Sequence, residues 1–117
     1  MRIISFAWTT PAVKAKIKTC TRRDWDDNYA KTFKAGQHLM GYDRTPRVGG
    51  KPFQEIVLTM APYKEAYCQV PDSDWEAEGF AYLESIGATL HGLPPHILWA
   101  HWKIDDSPVW VVRFDYV

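Results

Sequence analysis

Large apolar side chains alternate with other residues over positions 109–117. If this segment is extended, Trp110, Val112, Phe114 and Tyr116 lie on one face, because successive side chains of a strand point to opposite sides. The alternation predicts a β-strand with one buried face. A sheet that contains this strand is therefore the centre of the expected fold.

Shorter patterns predict the other elements. Extended segments are expected at residues 3–8, 19–25, 37–43, 53–60 and 63–70. Helical segments are expected from Thr10-Pro11, over residues 24–36, from a capping box at Ser73 and Glu76 to Ile86, and from Pro94-Pro95. Residues 44–52, with two prolines and a Gly-Gly pair, predict a basic hairpin loop. No repeat or linker divides the chain, so residues 1–117 are expected to form one α+β domain of five or six mixed strands with three helices.

The formal net charge is zero, but the charges are divided unequally along the chain. Residues 1–59 carry 11 Lys and Arg against 5 Asp and Glu, whereas residues 60–117 carry 3 against 9. Proteins that bind nucleic acid mainly through its phosphates usually have a net excess of cations. The overall balance disfavours binding of that kind and leaves a local basic site open.

Several protein classes are disfavoured by motifs that the sequence lacks. Cys20 and Cys68 are far apart and no C-x-x-C motif occurs, so neither a disulfide scaffold nor a zinc ribbon is supported. The four histidines have no metal-ligand spacing. No signal peptide is recognisable, and no run approaches the about 20 apolar residues of a membrane span. We expect a cytoplasmic protein with no cofactor, no metal ion and no membrane partner.

The densest functional signal is the hexapeptide Lys18-Thr19-Cys20-Thr21-Arg22-Arg23, in which three cations and two hydroxyls occupy six positions. If it is extended, Thr19, Thr21 and Arg23 share one face and Cys20 lies on the other; if it is helical, Lys18 and Thr21 meet. A Thr hydroxyl becomes a nucleophile when a base removes its proton, and burial near other cations lowers the pKa of a lysine enough for this role. The alternative is a solvated basic strand whose threonines serve β-propensity.

An acidic partner is expected in the second half of the chain. The capping box accounts for Glu76, but Glu78 is followed by Gly79, which costs a helix about 1 kcal/mol relative to Ala. A glycine at such a position indicates close approach of a backbone or a ligand. Glu78 is therefore a candidate to hold the Lys18 ammonium, the alternative being an exposed helical carboxylate. Among six tryptophans, Trp25 and Trp75 lie near the two candidate segments and are the expected stacking residues.

Four short motifs occur in order along nearly the whole chain. They are Lys18-Thr19-x-Thr21-Arg22-Arg23 after Thr9-Thr10, Lys34-Ala35-Gly36, Glu78-Gly79-Phe80 and Arg113-Phe114-Asp115-Tyr116. In the order and spacing of these motifs the sequence resembles the ASCH family, in particular its short bacterial and phage members. The resemblance implies a PUA-like fold, a small mixed β-barrel with flanking helices and a cleft, and an association with RNA or modified nucleosides.

One branch of the ASCH family hydrolyses the amide of N4-acetylcytidine with a Lys and a Thr spaced as K-T-x-T and a Glu on a later helix. By position these roles fall on Lys18, Thr21 and Glu78, and the Arg that follows falls on Arg23. The chain departs from the pattern at Ile17, where a Gly commonly precedes the Lys, and in a longer hairpin around residues 49–50.

The combined prediction is an amidohydrolase that acts on an acylated exocyclic amine. Lys18 is the expected base, Thr21 the nucleophile and Glu78 the group that orients Lys18, while Arg22 or Arg23 stabilises the oxyanion. The expected substrate-binding residues are Thr19, Arg22, Arg23, Trp25 and Trp75.

The alternative is a non-catalytic PUA-like module that binds RNA phosphates through the basic segments 14–23 and 44–51. A ribonuclease is less favoured, because no His or carboxylate pair stands out for acid–base chemistry. The expected partner is accordingly a small-molecule nucleoside or RNA.

Overall fold

The computed structural model describes all residues, 1–117, as six strands and five α-helices. The strands are β1 Arg2–Ser5, β2 Cys20–Arg23, β3 His38–Tyr42, β4 Pro52–Leu58, β5 Tyr63–Ala66 and β6 Pro108–Tyr116. The helices are α1 Thr10–Lys14, α2 Asp27–Ala30, α3 Asp74–Ala77, α4 Phe80–Ser85 and α5 Pro95–Lys103. Short 3₁₀ turns cover Ala7–Thr9, Pro46–Val48 and Tyr67–Gln69.

The six strands form one curled, mixed sheet in the order β1-β3-β4-β6-β2, with β5 also paired to β6. Only β1 and β3 run parallel; the other pairs are antiparallel. The expected α+β class and small mixed barrel with flanking helices are confirmed.

β6 is the central strand of the sheet. Its first half pairs with β5 through Val109 and Val111, and its last residues pair with β4. Along its other edge it pairs with β2, so that Cys20 faces Arg113 and Thr21 faces Val112. The alternating segment at 109–117 is therefore a strand, as predicted, but both of its faces are buried along its first half.

Two clusters of apolar side chains hold the fold together. The larger one fills the inside of the curled sheet with nine buried residues, among them Phe6, Leu39 and Phe114. The smaller one joins Ala12 of α1 to Phe80 and Leu83 of α4 and to Leu90. The helices α1, α3 and α4 are thereby packed beside the start of β2, where the candidate residues are.

Four of the expected elements differ from the structure. The strand expected over 63–70 ends at Ala66, and the chain continues as the 3₁₀ turn Tyr67–Gln69. The first strand ends at Ser5, because Ala7 takes a left-handed backbone with φ of 45° and the chain turns. The helix expected at 24–36 is confined to α2, which Asp26 caps by accepting hydrogen bonds from the backbone of Asn28 and Tyr29. The capping box at Ser73 does not form, and the helix expected over 73–86 is two short helices separated at Gly79. None of the helices combines the length and the apolar character that a membrane span requires.

Candidate functional site

Lys18 lies in the turn between α1 and β2 and is almost fully buried, with 1% of its surface exposed. Its ammonium nitrogen donates two hydrogen bonds to one residue, at 2.8 Å to the carbonyl oxygen of Glu78 and at 3.0 Å to Glu78 Oε1. The Lys18 carbonyl accepts a hydrogen bond from the Tyr116 hydroxyl. Contacts at the side-chain nitrogen and at the backbone carbonyl therefore fix the position of this buried lysine.

Gly79 explains how Glu78 reaches Lys18. The glycine has a φ of 87°, which ends α3 and turns the chain into α4. A Cβ at this position would lie 2.6 Å from the Cβ of Ala12 and 3.3 Å from that of Lys18. The close approach of backbone expected from the sequence is confirmed, and it places Glu78, rather than the exposed Glu76, beside Lys18.

A network of ion pairs extends from Glu78 into the sheet. Arg22 donates from Nη1 to Glu78 Oε2 at 2.7 Å, and from Nη2 to Asp74 Oδ2 at 2.7 Å and Glu65 Oε1 at 2.9 Å. Arg113 of β6 donates to both carboxylate oxygens of Asp74, at 3.0 and 2.9 Å. These buried charges are mutually compensated, as burial requires.

The environment shifts the pKa values of this network in opposite directions. Burial lowers the pKa of Lys18 from 10.5, although the Glu78 carboxylate acts to raise it. Burial alone would lower the pKa of Arg22, but the carboxylates around it raise it above its usual value. Hydrogen bonds from Arg113 and Arg22 outweigh burial and lower the pKa of Asp74. Lys18 is thus the cation of the network that most readily loses its proton.

Thr21 and Arg23 lie on β2 next to Lys18. Thr21 is buried, and its Oγ1 accepts a hydrogen bond from Arg23 Nε at 3.2 Å. The Arg23 guanidinium has no carboxylate partner, and burial lowers its pKa to about 10. Since the Thr21 oxygen accepts from Arg23, its own proton is free to be donated elsewhere.

A cavity of about 420 Å³ opens onto these groups. Its polar wall consists of Lys18, Thr21, Arg22, Arg23 and Glu78. Its remaining walls are residues 5–9 and the side chains of Tyr67, Phe80, Leu90, His91, Leu98 and Trp102. A volume of this size, with apolar walls and a few convergent polar groups, suits a small organic ligand.

One polar atom of this wall has no partner. Arg22 Nε is buried and makes no hydrogen bond, although both terminal nitrogens of the same guanidinium are bonded to carboxylates. A buried N–H that lacks an acceptor costs about 1–3 kcal/mol.

Five of the eight residues expected from the sequence line the cavity: Lys18, Thr21, Arg22, Arg23 and Glu78. Thr19 does not, and its backbone instead links Ala77 to Phe114. Trp25 and Trp75, the expected stacking residues, do not line the cavity either. Trp25 stacks on Phe33 with ring centroids 4.7 Å apart, and Trp75 packs against Phe80 and Trp99.

Other residues of the site were not foreseen. Asp74 and Glu78 are four residues apart on neighbouring turns, and Arg113 is a charged residue directly after the apolar run 108–112 of β6. Both features signal a need for buried partners. Trp8 and Trp102 line the cavity, but residue type alone does not distinguish them from the core tryptophans.

The Cys20 thiol is not favoured as the reacting group. Burial raises the pKa of the Cys20 thiol, which lies 3.6 Å from Arg22 Nη1 and not in the wall of the cavity. Both cysteines are free, as expected. No group of three or more His, Cys, Asp or Glu side chains is arranged to hold a metal ion.

Comparison with solved structures identifies a neighbour in fold. Protein EF3133 from Enterococcus faecalis V583, assigned to the family model DUF984, superposes with a TM-score of 0.63 and 17% sequence identity. The match covers 99% of this chain and 79% of the other chain. At this level of identity the similarity establishes the fold alone. No family model matches the sequence, and no curated protein matches it significantly.

Proposed function

We propose that this chain is a divergent ASCH-type amidohydrolase, which removes an acyl group from the exocyclic amine of a modified nucleoside such as N4-acetylcytidine. The observation that carries the proposal is the placement of Lys18, Glu78 and Thr21 in the wall of one cavity. That cavity, of about 420 Å³, is within the range of small-ligand sites.

The hydrogen bonds of Lys18 suit a general base. A neutral lysine has two N–H groups and one lone pair, and Glu78 accepts two hydrogen bonds from the nitrogen. The lone pair is then free to accept a proton from another group of the cavity. Burial favours this neutral form, because it lowers the pKa of Lys18.

The charges around Lys18 act against that state. Lys18, Arg22 and Arg113 pair with Glu65, Asp74 and Glu78, so this ion-pair network is electrically balanced when Lys18 is protonated. Burial nevertheless outweighs the Glu78 carboxylate and lowers the pKa of Lys18.

Acyl transfer would proceed in two stages. Thr21 Oγ1 attacks the acyl carbonyl carbon while its proton passes to Lys18, and the carbonyl becomes an oxyanion. The oxyanion then collapses, the carbon–nitrogen bond breaks, and Lys18 returns the proton to the leaving amine. Water next attacks the Thr21 ester with Lys18 again as base, which releases the carboxylic acid and restores the hydroxyl.

Arg23 is the better candidate for the oxyanion than Arg22. Both terminal nitrogens of Arg22 are bonded to carboxylates, so Arg22 has only Nε left to offer. Arg23 donates from Nε to Thr21 and keeps both terminal nitrogens free of ion pairs. It therefore adjoins the nucleophile with unused donors, as oxyanion stabilisation needs.

A non-catalytic RNA-binding module is the weaker reading. Its proposed phosphate contacts include the basic segment 14–23, but Lys18 and Arg22 of that segment are buried and paired with carboxylates. A cation in that position is not free to replace the counterions of a phosphate backbone.

The proposal is tested by incubating the protein with N4-acetylcytidine and following the release of cytidine chromatographically. Lys18→Met should lower kcat about 10²–10⁴-fold, the usual contribution of a general base. Thr21→Val, which keeps the shape of the side chain, should abolish turnover, and Thr21→Ser should retain part of it. Thr19→Val is the matched control, since Thr19 does not line the cavity. Turnover by Thr21→Val equal to that of the unaltered protein would exclude Thr21 as the nucleophile.

A further inference from the structure

A second cavity adjoins the first and shares a wall with it. It has a volume of about 630 Å³ and is lined by Ala7, Trp8, Thr10, Pro11, Lys14, Asp43 and Arg44. Ala7 and Trp8 also line the cavity that contains Thr21. The two spaces are therefore neighbours on either side of one short segment of chain.

The cations of the second cavity make no close ion pair. Lys14 and Arg44 are exposed, and neither has a carboxylate oxygen within ion-pair distance. The one carboxylate in this wall, Asp43, accepts a hydrogen bond from the backbone N–H of Lys51 at 2.8 Å, and this bond together with the charges of Arg44 and Lys14 lowers the pKa of Asp43. Asp43 therefore offsets one of the two cations, and the wall keeps a net positive charge.

Cations of the nearby hairpin loop add to the same charge. Arg47 and Lys51 are exposed and also have no ion-pair partner. In the first cavity, by contrast, Lys18 and Arg22 are paired with carboxylates. The positive potential available to an anion therefore lies on the second cavity and its loop, and on Arg23 of the first cavity.

Trp8 separates the two cavities and is suited to contact a ligand. Its ring is half exposed and lies 5.6 Å from the ring of His91. Ala7 and His91, which flank the ring, both have left-handed backbones, with φ of 45° and 52°. Non-glycine residues adopt this conformation at a cost and do so often at functional sites.

We infer that the second cavity binds phosphate groups, so that the ligand is a nucleotide whose base occupies the first cavity and whose phosphate meets Lys14 and Arg44. This inference rests on the proposed function for the identity of the base. A nucleotide differs from a nucleoside by the phosphate on its sugar, and this phosphate is its anionic group. Lys and Arg are the side chains that bind it.

The test compares the binding of cytidine and cytidine 5′-monophosphate by isothermal titration calorimetry, with the protein unaltered and as Lys14→Ala/Arg44→Ala. Two exposed ion pairs correspond to a gain of about 2- to 30-fold. We expect the monophosphate to bind more tightly than cytidine by this factor. In the double variant, the ratio of the two affinities should fall toward one. The control Lys31→Ala/Lys34→Ala removes two exposed, unpaired cations elsewhere and should leave the ratio unchanged.

A short cytidine-containing oligoribonucleotide distinguishes the source of the phosphate. If it binds more tightly than the monophosphate, and its affinity also depends on Lys14 and Arg44, the phosphate belongs to an RNA strand. Equal affinities for cytidine and its monophosphate, an advantage that survives the double variant, or no binding of either ligand would overturn the inference. Phosphate-dependent binding without deacylation of N4-acetylcytidine would instead refute the proposed function alone.

Discussion

Glu78 accepts two hydrogen bonds from the Lys18 ammonium, one at its backbone carbonyl and one at its carboxylate. A carboxylate alone would hold the charge of a lysine but leave its rotation free. The second acceptor, on the main chain, orients the nitrogen. The two acceptors therefore fix the position of Lys18, whereas burial lowers its pKa and the Glu78 carboxylate acts against that shift.

The first prediction concerns the pH dependence of deacylation. Protonated Lys18 cannot act as a base, so kcat/KM should rise with pH and level off above the pKa of Lys18. Because burial lowers that pKa, the plateau should begin below 10.5, the ordinary value for lysine. Initial rates measured across the alkaline range, with Thr21→Ser as a variant that keeps the same base, check this. A rate that is flat with pH throughout would contradict a lysine base.

The second prediction concerns Glu78→Gln. The Glu78 carboxylate raises the pKa of Lys18, so its removal should move the pH profile to lower pH. Arg22 would also lose one of its buried partners, and the loss of one partner of a buried pair costs about 3–5 kcal/mol. Rate profiles and urea unfolding measure the two effects. Glu76→Gln, at an exposed position two residues earlier, should change neither; an unchanged pH profile in Glu78→Gln would show that the carboxylate does not act on Lys18.

The third prediction concerns Gly79→Ala. A left-handed backbone costs a residue with a Cβ about 1–2 kcal/mol, and here the Cβ would also meet Ala12 at 2.6 Å. Gly87→Ala is the matched control, because Gly87 is left-handed as well but has open space where the Cβ would be. Urea unfolding should show a larger loss of stability for Gly79→Ala than for Gly87→Ala. Equal losses would mean that the contact with Ala12 relaxes freely.

The fourth prediction concerns the stacking of a base on Trp8. Removal of an aromatic that stacks on a base costs about 1–3 kcal/mol, so Trp8→Leu should weaken the binding of cytidine about 5- to 150-fold. Trp8→Phe should restore much of the affinity. Trp25→Leu should leave the affinity unchanged, because Trp25 stacks on Phe33 outside the cavity. A smaller loss of affinity for Trp8→Leu than for Trp25→Leu would contradict stacking of the base on Trp8.

Local sequence patterns were sufficient for much of the fold and for part of the site. The alternation at 109–117 predicts β6, and the hexapeptide 18–23 indicated two residues of the cavity wall, Lys18 and Thr21, without knowledge of the sheet. The glycine after Glu78 indicated that Glu78 belongs to the site, since a glycine within a helical pattern implies close approach of a backbone or a ligand. These signals act over a few residues and are independent of the tertiary structure.

The remainder of the site depends on contacts between distant parts of the chain. Asp74 became a partner of Arg113 only through the position of α3 against β6, which no local pattern specifies. Trp8 and Trp25 are the same residue type, and their burial is decided by the turn at Ala7 and by the packing of α2. The capping box at Ser73 does not form because Ser73 itself has a helical backbone, with φ of −60° and ψ of −21°, whereas a capping residue is extended.

The strand β6 also determines when the site can exist during folding. It follows every other strand in sequence, yet it pairs with β2, β4 and β5 and supplies Arg113 to Asp74. Pairings between such distant segments, for example Cys20 with Arg113, close long loops and are slow to form. Until β6 docks, Asp74 lacks its ion pair with Arg113, and β2, which carries Thr21 and Arg22, has no strand to pair with. The polar wall of the cavity is therefore complete only once β6 has paired with β2.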